Sequence, residues 1–357
     1  MPRVDFAATD VVAPNLNRRY SGVTSTVIAL LPTQARAHRI AGLGPNLPDH
    51  LPTVGWRDVL RGGWTPPPGR RARIWHARRN IEMVWGLVLA RVLRQPWRLV
   101  FTSAAQRRHT GFTKALIRRM DAVIATSPEA ASYLQVPAVV SLHGVDTAVY
   151  RPADDRSAAW AATGLPGRFG VGIFGRVRPQ KGTDIFVEAL LATLPSRPDW
   201  TAVVIGLEKP EDRAFADALR NRLDGAGLEG RVRFLGERPV AEIPGWYRAL
   251  SLVVAPPRKE GFGLIPLEAM ASATPVIASR AGAHVHLVED CVTGWLVDAG
   301  DATALASALS KAMDLTPAER DALGRAGRAR VEAAFSIERE AERIAAVYAG
   351  LDTLRQP

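Results

Sequence analysis

Short apolar runs alternate with longer stretches in which apolar residues recur every three or four positions, through most of the chain. The short runs read as buried strands and the longer periodic stretches as helices. In the first half, strands are predicted near 4–12, 38–43, 73–76, 98–102, 121–126 and 138–142, with helices near 22–34, 80–94, 111–119 and 128–134. The second half alternates more cleanly. Its strands fall near 169–174, 201–206, 231–235, 252–255, 275–278 and 294–297, separated by helices near 182–193, 211–224, 241–248, 263–271 and 301–313. This alternation predicts an α/β fold of parallel sheets covered by helices. The segment 146–166, with Pro152 and Gly164 and no sustained strand, is the predicted linker. Residues 57–79, rich in Gly, Pro, Trp and Arg, are predicted to be mostly loop. From Phe335 to Leu354, Ile337, Ile344, Val347, Tyr348 and Leu351 recur at helical spacing, so the chain closes on an amphipathic helix.

The 357 residues suffice for two domains, and 47% hydrophobic content supports a core in each. With one cysteine, Cys291, no internal disulfide or cysteine-built zinc site is available. The N-terminal MPRVDFAATD lacks the apolar segment of a signal peptide. The longest apolar stretch, Ile81 to Leu93, is broken by Gly86 and Arg91. It falls far short of the roughly 20 residues that span a bilayer. A soluble or peripheral protein that is not exported is the expectation.

Charge changes the picture further. Residues 1–160 hold 22 Lys and Arg against 10 Asp and Glu, whereas the remainder holds 24 against 25. An excess confined to one half predicts an anionic partner there: nucleic acid, an acidic lipid surface or a phosphorylated substrate. Residues 57–108 alone contain 12 arginines against Asp58 and Glu82, interleaved with Trp56, Trp64, Trp75, Trp85 and Trp97. Arg with Trp suits a bilayer interface. The alternative is that the tryptophans are core residues, which is the expectation for Trp75 and Trp85.

The most informative segment for chemistry is Lys259-Glu260-Gly261-Phe262-Gly263-Leu264-Ile265-Pro266-Leu267-Glu268. A strand, a glycine loop and a helix start make an anion site, because free N–H groups and the helix dipole face the loop. Glu260 precedes that helix and Glu268 lies within it, so both can reach one ligand. Phe169 to Gly175 is a second strand running into Arg176-Val177-Arg178-Pro179-Gln180-Lys181-Gly182. Arg176 and Lys181 flank a turn suited to a diphosphate, held by charge-assisted hydrogen bonds. Gly170, Gly172 and Gly175 spell G-x-G-x-x-G, but two of them lie within the strand and no helix opens at the third, so the dinucleotide reading is rejected.

The motifs GRVRPQKG (175–182), VRFLGE (232–237), EGFGLIPLEAMASATPVIAS (260–279) and VEDCVTGWLV (288–297) resemble, in order and spacing, the retaining glycosyltransferase family 4. The resemblance implies the GT-B fold, two facing Rossmann-like domains with an interdomain cleft. The implied division is an acceptor-binding domain at 1–150, a nucleotide-sugar-binding domain at 151–335, and a C-terminal helix, 336–357, crossing back to the first domain. It also implies Arg176 and Lys181 on the donor diphosphate, Glu260 on the transferred sugar and Glu268 on the ribose hydroxyls. Glu260, Arg176 and Lys181 are the catalytic candidates. Gly22, Gly175, Gly261, Phe262, Gly263 and Leu264 complete the candidate donor site. The family needs no metal cofactor, and no two aspartates in this chain stand two apart as a D-x-D metal motif would require. Family members commonly carry glycine where this chain has Cys291.

In the first half, Tyr20-Ser21-Gly22-Val23-Thr24 occupies the place of the family's glycine-rich loop with one glycine only. Arg119 to Ser127 and His143-Gly144-Val145-Asp146 match the family at the domain junction. Where many members place an active-site histidine, this chain reads Val100-Phe101-Thr102-Ser103-Ala104. His109, beside Arg107 and Arg108, is either a substitute or acceptor contact, or a helix-cap histidine. His76, ending a predicted strand, is a further acceptor-side candidate. The stretches 13–32 and 74–83 look like the alphaproteobacterial lipopolysaccharide-core mannosyltransferases. That resemblance implies GDP-mannose as donor, the Kdo inner core of an anionic lipid A glycolipid as acceptor, and a cytoplasmic enzyme peripheral on the inner membrane face. Three alternatives remain open: a UDP-sugar donor with a polyprenyl-linked or soluble acceptor, a nucleic-acid-binding module, and a catalytically dead scaffold. The lack of any nucleic-acid motif and the joint presence of Arg176, Lys181, Glu260 and Glu268 weigh against the last two.

Overall fold

Every strand in the described residues (4–18, 22–104 and 107–353) pairs in parallel, within one of two six-stranded sheets of the computed structural model. The chain divides into two units, residues 1–144 with 337–357, and residues 145–336. Packing thus puts the division after Gly144, where the resemblance implied 150, and groups the closing helix Ile337–Thr353 with the first unit.

In the first unit the strands are β1 (Val11–Pro14), β2 (Ile40–Leu43), β3 (Arg73–Ala77), β4 (Trp97–Ser103), β5 (Ala122–Ala125) and β6 (Val139–Val140), in the order β2-β1-β3-β4-β5-β6. Successive strand residues point to opposite faces, and the two apolar clusters divide accordingly. Val12, Trp75, Leu99 and Val123 pack on one face with Val59 and Met83. Val11, Ile74, Val100 and Ile124 pack on the other with Leu30, Leu31, Ile344, Tyr348 and Leu351. The closing helix is therefore part of the core of the first unit.

In the second unit the strands are β7 (Phe169–Phe174), β8 (Trp200–Ile205), β9 (Val232–Gly236), β10 (Leu252–Ala255), β11 (Val276–Ser279) and β12 (Gly294–Val297). Their order, β12-β11-β10-β7-β8-β9, reverses direction between β7 and β10. Strands that are buried on both faces read as continuous apolar runs, which is why this half was the more regular in sequence. Gly170 and Gly172 sit inside β7, where an added Cβ would lie 2.3 Å from Trp160 and 2.4 Å from Leu250. They are packing glycines, and the dinucleotide reading stays rejected.

Four local expectations need correction. Residues 4–10 precede the first strand instead of forming it, and β1 begins at Val11. A helix, Trp56–Gly62, lies in the region read as loop, capped by the Asp58 carboxylate accepting from the Gly55 N–H at 2.9 Å. The linker region contains the helix Arg156–Ala161, anchored by buried Trp160. The helix Pro317–Arg330 was not anticipated, because glycine makes its contacts: a Cβ at Gly324 would fall 1.9 Å from the Ala273 carbonyl oxygen. Its capping box is plain in the sequence, with Thr316 accepting from the Glu319 N–H and Glu319 from the Thr316 N–H. No helix among the described residues is long and apolar enough to cross a membrane.

Candidate active site

Ligands of doubly wound sheets bind outside the carboxyl ends of strands where the strand order reverses. In the second unit that point lies between β7 and β10, and the loops leaving these strands carry Gly175 to Gly182 and Pro256 to Leu264. Two devices hold them together. Gly182 adopts φ +74°, and a Cβ there would lie 2.0 Å from the Pro256 carbonyl oxygen, so only glycine permits the approach. Arg258 grips both oxygens of Asp184 at 2.7 and 2.8 Å, a bidentate pair between the second loop and the helix that follows the first.

Four candidate residues converge here. Lys181 Nζ donates to Glu260 Oε2 at 2.5 Å, and the Gly261 N–H donates to Glu260 Oε1 at 2.9 Å. Burial pushes the Glu260 carboxyl up, but the Lys181 charge, its hydrogen bond and the Gly261 N–H outweigh this, leaving its pKa below the ordinary value. Arg176 is exposed and makes no ion pair among the described residues, although its charge helps to lower the Glu211 carboxyl. Glu268 accepts from the Tyr247 hydroxyl at 2.7 Å and the Tyr150 hydroxyl at 3.1 Å. Burial raises its pKa, and the two tyrosines only partly offset this. A carboxylate has room for about four hydrogen bonds, so two acceptor positions remain for a ligand.

Of the other donor-site candidates, Gly175 holds φ +114° at the end of β7 and Gly263 holds φ +86°. Phe262 is buried, while Gly261 and Leu264 are half-buried. The helix after this loop, Ile265–Ala271, is only two turns long. The longer helix Thr183–Thr193 also begins here, directly after Lys181 and Gly182. Its N-terminal N–H groups add a positive pole that the sequence reading did not assign to this site. Arg258, Tyr150, Tyr247 and His284 were also missed. Only Arg258 had a visible signal, as a cation directly before the Lys259–Glu268 segment. Cys291 holds φ +63°, a region that glycine enters more readily, and its thiol is exposed.

The first unit reverses strand order between β1 and β3. At their carboxyl ends, Glu82 accepts from the N–H groups of Arg78 (2.7 Å) and Arg79 (3.0 Å) and from the Arg79 guanidinium (2.8 Å). Arg79 also donates to Asn15 at 2.8 Å and Thr24 at 2.9 Å. Glu82, read with Asp58 as one of two acids among twelve arginines, is thus fully buried and organises this end of the sheet. Gly22 opens the helix Gly22–Ala37 and is exposed, whereas Tyr20 and Ser21 lie outside the described residues. Arg107 and Arg108 are exposed beyond β4, and His109 lies 3.3 Å from the Ser103 hydroxyl. Burial and the nearby Arg107 and Lys114 charges lower the His109 pKa.

His76 does not fit the acceptor-side assignment. It is fully buried, with Nδ1 2.6 Å from the Tyr348 hydroxyl and Nε2 2.6 Å from the Thr102 hydroxyl. Both ring nitrogens are used within the protein, fastening the closing helix to the sheet. The arginines of 57–108 do not form a single face either. Arg73 is fully buried beneath carbonyl groups, Arg70 and Arg98 pair with Asp10 and Asp121, and Arg79 is tied to Glu82. Arg71, Arg91, Arg94 and Arg98 surround a depression of about 340 Å³ at the amino ends of β3 and β4. Trp64 and Val92 are exposed nearby, and the Trp64 indole N–H donates to the Leu93 carbonyl at 3.1 Å. Trp75 is core, whereas Trp85, also expected there, is 38% exposed and packs on Trp56. Among the described residues, no three His, Cys, Asp or Glu side chains cluster as metal ligands would.

The model of the glycosyl transferases group 1 family matches residues 168–314, which contain Arg176, Lys181, Glu260 and Glu268. The chain is 53% identical over 348 residues, 97% of its length and 98% of the relative's, to the lipopolysaccharide core biosynthesis mannosyltransferase LpcC of Rhizobium leguminosarum bv. viciae. It is 51% identical, over 98% of its length and 99% of the relative's, to the lipopolysaccharide core biosynthesis mannosyltransferase LpsB of Rhizobium meliloti. A glycosyltransferase from Rickettsia africae superposes with a TM-score of 0.81, covering 97% of this chain and all of that one at 15% identity, which is a likeness of fold. The two parallel sheets are those of the GT-B glycosyltransferases.

Proposed function

This chain belongs to the family of lipopolysaccharide core mannosyltransferases within the group 1 glycosyltransferases, and on that premise we propose that it transfers mannose from GDP-mannose to the Kdo inner core of a lipid A precursor, retaining anomeric configuration. The observation that carries the chemistry is the pairing of Lys181 with Glu260 at the β7–β10 reversal, with Arg176 exposed on the same loop after β7. Arg176 and Lys181, with the N-terminus of the helix Thr183–Thr193, stabilise the diphosphate as the sugar–phosphate bond breaks. Glu260, released from Lys181, accepts from a sugar hydroxyl and orients the ring. Glu268 holds the ribose hydroxyls through the acceptor positions that Tyr150 and Tyr247 leave open. The attacking hydroxyl of the acceptor bonds to the anomeric carbon on the face the phosphate leaves, and its proton passes to the departing phosphate oxygen.

The acceptor belongs to the first unit, where Arg78 follows β3 beside Glu82 and Arg107 and Arg108 are exposed beyond β4. These cations suit an anionic glycolipid. Peripheral contact with an anionic membrane at the cytoplasmic face is part of the proposal, and the exposed Leu60, Trp64 and Val92 support it, beside Arg61, Arg71, Arg91 and Arg94, which make no ion pair among the described residues. No metal takes part, because cationic side chains meet the diphosphate. A panel of nucleotide-sugars offered with a Kdo-lipid A acceptor in excess EDTA tests the reading. GDP-mannose should be turned over in preference to any UDP-sugar, and a preference for UDP-sugars, or a requirement for Mg²⁺ or Mn²⁺, would overturn it.

A further inference from the structure

His284 lies beneath the loop that carries Glu260 and Gly263, and the chemistry proposed above does not use it. Its side chain is 1% exposed. Nδ1 is 3.0 Å from the Ser279 carbonyl oxygen. A carbonyl can only accept, so the ring proton resides on Nδ1 and Nε2 presents a bare lone pair. Burial pushes the imidazolium pKa down to about 4, so the ring stays neutral at physiological pH. Nε2 itself is buried and has no hydrogen-bond partner among the described residues. A buried acceptor without a partner is costly, and native structures retain few of them.

The direction of that lone pair identifies what it awaits. A Cβ placed on Gly263 would lie 2.2 Å from Nε2 and 2.9 Å from the Glu260 Cγ. Nε2 therefore faces the backbone of the glycine loop, beside the carboxylate assigned to the transferred sugar. The Lys181 ammonium donates to Glu260 at 2.5 Å and makes no hydrogen bond to Nε2 among the described residues. The loop has glycine at 261 and 263, the latter at φ +86°, so the segment covering Nε2 has the backbone freedom to swing aside. What enters must bring a hydrogen-bond donor to a neutral acceptor next to Glu260, and a sugar hydroxyl has that chemistry.

We propose that His284 is a specificity residue for the donor sugar, its Nε2 accepting a hydrogen bond from one hydroxyl of the transferred hexose once the Gly261–Gly263 segment has moved. The inference rests on the donor site lying at the β7–β10 reversal. Sites built to hydrogen-bond a hydroxyl reject analogues that lack it, because the buried partner is then left unsatisfied. Gly263 is required for a related reason: any side chain there would occupy the space between the loop and the imidazole.

The test is equilibrium binding of GDP, GDP-mannose and GDP-mannose analogues lacking one hydroxyl each, to the full chain and to its H284F and H284Q variants. In H284F, affinity for GDP should be unchanged while GDP-mannose binds about tenfold more weakly, the effect of one neutral hydrogen bond. H284Q, which keeps an acceptor oxygen, should recover part of the loss. One deoxy analogue should bind the unmodified protein about tenfold more weakly than GDP-mannose and show no further loss with H284F. Equal weakening of GDP and GDP-mannose in both variants would overturn the assignment, since the role would then be structural. So would separate, additive losses for every analogue. Failure of the unmodified protein to bind GDP would instead overturn the donor-site reading beneath it.

Discussion

Lys181 and Glu260 meet at 2.5 Å across the ends of β7 and β10, although 79 residues separate them in sequence. Each holds the other where a donor would hold both, because the ammonium suits a diphosphate and the carboxylate suits a sugar hydroxyl. In the proposed reaction, donor binding exchanges this contact for two new ones. Breaking half of a partly buried ion pair leaves the other charge uncompensated. The pair thus keeps both groups desolvated and oriented until the substrate arrives.

Replacing Lys181 or Arg176 by Ala should cost about 2–4 kcal/mol of transition-state stabilisation, roughly 30- to 1000-fold in kcat/KM. Steady-state kinetics with GDP-mannose measure this. A variant with near-normal turnover would remove that residue from the donor site.

The same pair predicts an acid dependence. The Glu260 pKa is depressed in the folded protein, so an unfolded chain binds the proton more readily. The stability it contributes is complete above the ordinary carboxylate pKa and is lost as pH falls through the depressed value. Glu268, with a raised pKa, has the opposite sign and does not produce this loss. Melting temperature should therefore fall less steeply from about pH 5 to pH 3 in E260Q than in the unmodified protein. Identical slopes would mean that the pair does not persist in solution.

His76 leads to a stability prediction where the sequence suggested an acceptor-side role. In H76A, the Tyr348 and Thr102 hydroxyls lose their partner in a buried site, at about 2–4 kcal/mol. Thermal unfolding should register that loss, and Tyr348→Phe should lose less because His76 keeps Thr102. Should H76A unfold normally but lose acceptor transfer alone, the acceptor-side role would have to be restored.

The membrane proposal concerns Arg61, Arg71, Arg91 and Arg94 beside Leu60, Trp64 and Val92. Each basic side chain near an anionic leaflet contributes about 1 kcal/mol within a Debye length of about 8–10 Å. The protein should cosediment with anionic vesicles at low salt and release near about 1 M salt, where the Debye length shrinks to about 3 Å. Charge reversal at Arg61 and Arg94 should weaken this and spare donor-only hydrolysis. Unchanged cosedimentation in that variant would exclude this surface.

The second unit was legible because its fold and its candidate site share one stretch of chain. Strands buried on both faces left apolar runs, and Arg176, Lys181, Glu260 and Glu268 follow the strands that position them. The first half was less so. Glu82 and His76 are chemically ordinary in sequence, and burial decides their roles through contacts with Arg79 and Tyr348 that no local pattern announces. Helix Pro317–Arg330 escaped because glycine packing leaves no apolar period, and His284 because a lone pair without a partner is visible only in three dimensions.

The most direct measurement is the structure of the product formed from GDP-α-mannose and a Kdo-lipid A acceptor, with mass spectrometry giving the added unit and NMR the anomeric configuration. A single hexose joined to the Kdo region through an α-mannosidic linkage is the predicted result. A β-linkage, or no transfer from GDP-mannose while a UDP-sugar is consumed, would contradict it.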